Sequence, residues 1–139
     1  MTPSFVVDNS IVMSWCFNDE TNRYADIVLD SLSQTQALVP AIWPLEVVNV
    51  LLVSERNKRL TKADSLRFIE LLSQLPILVE PVPLLRIMGD LLALAKATSL
   101  SSYDAAYLDL ALRKGVPLAT LDTRLTKAAN LAKIQIYLK

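Results

Sequence analysis

The sequence contains no histidine, one cysteine and two glycines among its 139 residues. Without histidine, the chain cannot carry Ser-His-Asp or Cys-His catalysis or a histidine-ligated zinc. The lone Cys16 excludes thiolate zinc sites and an internal disulfide. Neither Gly89 nor Gly115 lies in a phosphate-binding loop, so the P-loop and dinucleotide-binding fingerprints are missing. Chemistry in this chain therefore depends on carboxylates, hydroxyls, amides and a few cations.

The chain also lacks an excess of charge of either sign and a long apolar run. It has 14 Lys and Arg against 14 Asp and Glu, which gives a formal net charge of zero and no global signal for nucleic acid or anionic membranes. Charged residues interrupt every apolar segment before the roughly 18 residues that a spanning helix needs. No basic leader opens the sequence, and one cysteine suits a reducing compartment. We therefore expect a soluble, cytoplasmic protein that does not bind membranes.

Short apolar runs alternate with helical patterns along the chain. The runs have the length of strands and cover residues 5–7, 37–39, 77–79, 118–121 and 134–138. The segments between them have the spacing of amphipathic helices. Strands that alternate with helices favour a parallel sheet covered on both faces. We predict a single domain over residues 1–139 with three α/β/α layers and a central, mostly parallel sheet of four to five strands.

Several helix starts and one helix face can be predicted in more detail. Asn9 or Ser10 is expected to cap the first helix, and Thr61 and Asp64 have the spacing of a capping box. Ser101 or Ser102 should cap a helix that ends at Gly115. Another helix is predicted over residues 84–98. Its inward apolar residues are expected to be Leu85, Met88, Leu91, Leu92 and Leu94.

Four acidic residues have related positions in this predicted fold. Asp8 and Asp122 end apolar strands, whereas Glu46 and Asp104 lie in the first turns of helices. In a parallel α/β sheet, the ends of strands and the starts of helices lie along one edge. However, the helix dipole also favours an acid in a first turn, and an acid after a strand can be an ordinary cap. The pattern alone is consistent either with one shared site or with four separate structural roles.

If the four carboxylates converge, their repulsion requires raised pKa values or a bound cation. Oxygen ligands without histidine or cysteine prefer hard ions such as Mg²⁺ or Mn²⁺. Such an ion activates water and stabilises the charge of a phosphodiester under in-line attack. Hydrolysis of a nucleic acid backbone is the resulting hypothesis. Arg124 follows Asp122 closely enough to be a candidate for phosphate contact.

Four segments together resemble a family of nucleases. They cover residues 6–11, 40–51, 103–108 and 118–125, and each contains one of the four acids. In this order and spacing they are similar to the PIN-domain ribonucleases, and most closely to the VapC-type toxins of toxin-antitoxin pairs. The similarity extends from residue 5 to about residue 129, which is nearly the whole chain.

The resemblance implies a Mg²⁺- or Mn²⁺-dependent endoribonuclease with the PIN fold. The implied catalytic and metal-binding residues are Asp8, Glu46, Asp104 and Asp122. The implied supporting polar residues are Ser10, Asn49 and Thr120. The resemblance also implies an RNA substrate, a homodimer and a cognate VapB-like antitoxin whose C-terminal segment fills the active-site groove.

Two other interpretations remain open from the sequence. Asp8 could be the nucleophile of a phosphoaspartyl phosphatase or receiver-like domain, but that chemistry favours a second acid where Ser10 stands. Alternatively, the chain could be a catalytically silent PIN-like module that binds RNA or protein. The intact set of four acids argues against this second alternative.

Overall fold

The computed structural model describes residues 2–17, 19, 21–81 and 84–139, apart from the side chain of Arg86. The strands are β1 (Ser4–Val7), β2 (Gln36–Pro40), β3 (Ile77–Glu80) and β4 (Leu118–Ala119). The helices are α1 (Asn9–Cys16), α2 (Arg23–Ser31), α3 (Trp43–Arg56), α4 (Lys62–Ser73), α5 (Leu84–Arg86), α6 (Leu92–Thr98), α7 (Ser102–Lys114) and α8 (Thr123–Leu131). A π-helical turn, Ile87–Leu91, joins α5 to α6. Among the helices of these described ranges, none has the length and apolar character that crossing a bilayer requires.

The four strands form one parallel sheet in the order β3-β2-β1-β4. This confirms the predicted α/β/α fold with a central parallel sheet. The chain adds β2 and β3 on one side of β1 and β4 on the other, so the strand order reverses between β1 and β4. Ligand sites of parallel α/β sheets lie at such switch points, outside the carboxyl ends of the strands.

The predicted fifth strand, over residues 134–138, is reduced to a single parallel bridge between Leu118 and Ile136. The backbone of Lys133 and Leu138 has positive φ, at 61° and 58°. These left-handed residues bound the segment and prevent it from continuing as an extended strand. The segment still covers the outer side of β4, because the Leu118 N–H donates to the Gln135 carbonyl at 3.0 Å.

The core is centred on β1. Phe5, Val6 and Val7 are fully buried, and the ring of Tyr137 stacks on that of Phe5 with centroids 3.8 Å apart. Burial of successive residues means that both faces of the strand are covered, as in other parallel sheets. Asp8, the next residue, therefore leaves the sheet from its most buried strand.

The helix starts follow the predicted capping chemistry with one exception. Thr61 and Asp64 form the reciprocal capping box, and Ser101 caps α7. The cap of α1, however, is Asp8 and not Asn9 or Ser10. Asp8 is the last extended residue of the strand exit, so its carboxylate is in position to accept the N–H groups of the first turn.

The helical segment over residues 84–98 departs from the predicted face. Leu85, Met88 and Leu92 are 82%, 53% and 58% exposed, so the expectation that they face inward is wrong. Leu91 and Leu94 do pack against the core, as expected. The π turn accommodates an extra residue per turn and so rotates the apolar stripe away from the register that a continuous α-helix would give.

Candidate active site

The ends of β1 and β4 bring two of the predicted acids to neighbouring positions. Val7 pairs with Ala119 in the sheet, and the Asp8 N–H donates to the Ala119 carbonyl at 3.1 Å. Asp122 follows three residues after Ala119 and caps α8, with its Oδ1 accepting the Arg124 and Leu125 N–H groups at 2.8 and 3.0 Å. Adjacent parallel strands thus place both carboxylates at the switch point of the sheet.

Two hydroxyl groups join the ends of these strands around Asp8. Ser10 Oγ donates to Asp8 Oδ1 at 2.5 Å and accepts the Leu121 N–H at 2.9 Å. Thr120 Oγ1 donates to Asp8 Oδ2 at 2.6 Å and accepts the Asp122 N–H at 2.9 Å. The network therefore fixes the Asp8 carboxylate and ties it to the strand exit that carries Asp122. Ser10 and Thr120 therefore both contact Asp8, and their supporting role in the site stays a prediction.

Burial dominates the acidity of Asp8. The side chain is buried, and removal from water raises its pKa to about 6, despite opposing hydrogen bonds from Ser10, Thr120 and the Ile11 backbone. The negative charge of Asp122 raises it further. Asp8 is therefore a charged group in a poorly hydrated place at neutral pH, which favours a nearby cation.

Glu46 receives a hydrogen bond from a residue that the sequence analysis did not single out. Tyr107, in α7, is 1% exposed and its hydroxyl donates to Glu46 Oε1. Burial raises the pKa of Glu46, the hydrogen bond from Tyr107 lowers it, and the charge of Asp104 raises it. The spacing of Asp104 and Tyr107 was the available signal, because residues three apart share a helix face.

Asp104 interacts electrostatically with both Glu46 and Asp122. Burial raises the pKa of Asp104, and the charge of Asp122 raises it further, while Ser101 and Arg124 lower it. Arg124 is exposed, and its Nη2 donates to the Ser99 carbonyl at 3.1 Å. Its guanidinium group therefore lies at the margin of the acidic cluster, and its contact with a phosphate stays a prediction.

The mutual effects on pKa link the four predicted acids in a row along one edge of the sheet. Asp122 acts on both Asp8 and Asp104, and Asp104 acts on Glu46. Asn49 differs from the other predicted site residues, because it is exposed and its side chain makes no hydrogen bond within the described part of the chain. Its supporting role stays a prediction.

The donor set suits a hard cation, although the described residues form no closed metal cage. Within residues 2–17, 19, 21–81 and 84–139, no three His, Cys, Asp or Glu side chains form a group that could hold a metal ion. The available donors are carboxylate oxygens whose mutual repulsion a cation would relieve. Mg²⁺ is commonly held by one or two carboxylates and several waters, and these residues fit that kind of site.

Comparisons with known proteins agree with this architecture. The model of the PIN domain family matches residues 5–131, whereas no curated protein matches the sequence. Similar solved structures include PAE2754 from Pyrobaculum aerophilum, with 22% identity and a TM-score of 0.70 over 92% of this chain and 87% of that one.

Two further solved structures are similar over almost the whole chain. VapBC2 from Rickettsia felis, bound to a DNA fragment from its promoter, is 11% identical with a TM-score of 0.68 over 96% of each chain. FitAcB from Neisseria gonorrhoeae is 21% identical with a TM-score of 0.63, also over 96% of each chain. These identities establish a shared fold. Because the family model covers most of the sequence, the chain belongs to the PIN domain family.

Proposed function

We propose that this protein is the toxin of a toxin-antitoxin pair and acts as a Mg²⁺- or Mn²⁺-dependent endoribonuclease in the cytoplasm. The observation that carries the proposal is the row of four electrostatically linked carboxylates at the switch point of the sheet. Membership of the PIN family supports hydrolysis of nucleic acid. The similar fold in a toxin-antitoxin complex from Klebsiella pneumoniae, at a TM-score of 0.61, supports the biological role.

Each of the four acids would have its own role in the site. Asp8 and Asp104 would be the principal ligands, Asp122 would complete the site directly or through water, and Glu46 would bind the ion or orient the attacking water. When bound, the ion would supply Lewis acidity toward water and phosphate oxygens. Asp8 contributes a fixed charge, because its two oxygens are held by Ser10, Thr120 and the start of α1.

Arg124 would contact the RNA backbone next to the acids. A row of carboxylates repels a polyanion, so a substrate phosphate needs a cation at its margin. Arg124 has that position, and Lys127 lies one turn further along α8 on the same groove between α6 and α8. Both side chains are exposed. Contacts of this kind position RNA without reading its sequence.

The protein would have two macromolecular partners besides RNA. A VapB-like antitoxin would fill the active-site groove, and a second copy of the chain would complete a homodimer. The homodimer is supported by the exposed apolar face that Leu85, Met88 and Leu92 form with Leu84, because several exposed apolar side chains on one helical segment mark contact sites.

A silent PIN-like module that binds RNA or protein is the second candidate. It is favoured by one observation, namely that the described residues contain no group of three ligands already close enough to hold a metal. The two proposals differ in whether the chain cleaves RNA when Mg²⁺ or Mn²⁺ is supplied.

Cleavage of RNA by the purified chain tests the proposal. We expect cleavage with Mg²⁺ or Mn²⁺, none with EDTA, and a loss of at least about 100-fold in Asp104→Asn, because ligand removal should exceed the effect of losing a supporting residue. Asp30→Asn is the matched control, since Asp30 is exposed on α2. Binding of RNA without cleavage by any metal form would favour the silent module.

Growth of cells that express the chain tests the toxin role. Expression alone should arrest growth, Asp104→Asn should relieve the arrest, and so should co-expression of the small gene expected beside it. Mapping the ends of RNA from arrested cells would identify the substrate. Unimpaired growth with active enzyme present would overturn the toxin role and leave the nuclease proposal standing.

A further inference from the structure

The hydroxyl of Tyr107 lies below the acidic row, close to three of its members. Burial raises the pKa of this hydroxyl, and the charges of Glu46, Asp8 and Asp104 raise it further. The side chain is 1% exposed. The hydroxyl donates to Glu46 Oε1, so it is a buried donor among acceptors.

Glu46 is the acid that most needs such a donor. Its side chain has several rotatable bonds and is only partly buried, in the first turn of α3. The neighbouring charge of Asp104 disfavours its ionised form, and a flexible side chain pays an entropy cost when it is held in one position. Asp8 is held by four hydrogen bonds, whereas Glu46 receives one, from Tyr107.

Tyr107 can hold Glu46 because its own ring cannot move freely. The ring is buried on α7, as are the side chains of Leu108 and Leu110. An aromatic side chain also has few torsions that must be fixed. Its hydroxyl donates a hydrogen bond to Oε1 of Glu46, while Oε2 has no hydrogen-bond partner within the described part of the chain. One oxygen is anchored and the other is available to a cation or a water molecule.

We infer that Tyr107 is a positioning residue of the acidic site: its buried hydroxyl anchors one oxygen of Glu46 so that the other is presented to the cation. This inference rests on the proposed function. Tyr107 need not touch the substrate or the ion, because it acts through Glu46. Supporting residues of this kind change metal affinity or activity by about 10- to 100-fold.

Tyr107→Phe tests the inference with Mn²⁺ itself as the probe. The variant keeps the ring and removes the hydroxyl, and water can solvate Glu46, so it should fold. Calorimetric affinity for Mn²⁺ should fall about 10-fold or more, with a similar loss in RNA cleavage. Tyr137→Phe is the control: it loses a hydroxyl bonded to Ser31 Oγ at 2.9 Å, and it should bind Mn²⁺ like the wild type.

A double-mutant cycle separates positioning from a structural role. If Tyr107 acts through Glu46, Tyr107→Phe should cause no further loss of Mn²⁺ affinity in a Glu46→Ala background. Additive losses, or unchanged Mn²⁺ affinity in Tyr107→Phe beside a lower melting temperature, would overturn the inference alone. A wild-type chain that binds no Mn²⁺ would overturn the proposed nuclease and the inference with it.

Discussion

The two side edges of the sheet differ in whether the rest of the chain covers them. At the β4 edge, Leu118 and Ala119 are fully buried, and the C-terminal segment covers the strand. At the β3 edge, Leu78 and Val79 are 45% and 46% exposed, and the helical segment that follows exposes further apolar side chains. The chain itself covers the β4 edge, whereas the β3 edge leaves apolar side chains exposed. A covered apolar side chain contributes to the stability of the monomer, and an exposed one contributes little.

The largest expected effect on the free energy of unfolding contrasts the buried Phe5 of β1 with the exposed Leu85 of α5. Phe5→Ala should lower the free energy of unfolding by about 3 to 5 kcal/mol, because it leaves a cavity beside Tyr137 in the core. Leu85→Ala should change it by less than about 0.5 kcal/mol in the monomer, because Leu85 is 82% exposed. Urea denaturation at low protein concentration measures both. Equal costs would contradict the contrast.

A smaller effect on the free energy of unfolding is expected from the buried charge of Asp8. The pKa of Asp8 is about 6 in the folded chain against an ordinary 3.8, so the folded state binds more protons between these values. Stability of the metal-free protein should therefore fall as the pH rises from about 3.8 to about 6, and should stay reduced above it. At about 1.4 kcal/mol per pKa unit, the ionised carboxylate costs about 3 kcal/mol at pH 8.

Asp8→Asn tests that cost. The amide can still accept the Ser10 and Ile11 N–H groups through Oδ1 and donate to Thr120 through Nδ2, so the cap of α1 is kept. In EDTA, the variant should be more stable than the wild type at pH 8 by up to about 3 kcal/mol and equal to it near pH 4. Asp30→Asn serves as the reference. A variant less stable at pH 8 would show that Asp8 is mainly structural.

The smallest effect on folding is expected at the exposed apolar face of the helical segment over residues 84–92. Leu85→Lys combined with Met88→Lys should leave the free energy of unfolding within about 0.5 kcal/mol, but should convert a dimer into a monomer in sedimentation. Leu131→Lys is the matched control, because Leu131 is 81% exposed on α8, outside this face. A wild-type chain that sediments as a monomer, or a double variant that stays dimeric, would contradict the proposed contact.

The sequence predicted best where local chemistry determines the structure. Buried strands followed by acids, and the pair Thr61 and Asp64, depend on interactions within a few residues. The orientation of Leu85 and Met88 depended on a π turn that periodicity does not reveal. The hydrogen bond from Tyr107 to Glu46 spans 61 residues, so the spacing of Asp104 and Tyr107 could place Tyr107 on the face of the acid but could not identify Glu46 as its partner. The cap of α1 is one residue earlier than predicted, because β1 ends at Val7 and α1 begins directly after Asp8.

The serine and threonine that join the ends of β1 and β4 link segments from opposite ends of the sequence. Asp8 follows the first strand to be synthesised, whereas Thr120 and Asp122 follow the last. A displacement of β4 by one residue would turn Thr120 away from Asp8, so correct strand register and correct carboxylate placement are the same event. Because Thr120 and Asp122 lie in the final fifth of the sequence, a nascent chain that still lacks this fifth has no complete acidic edge.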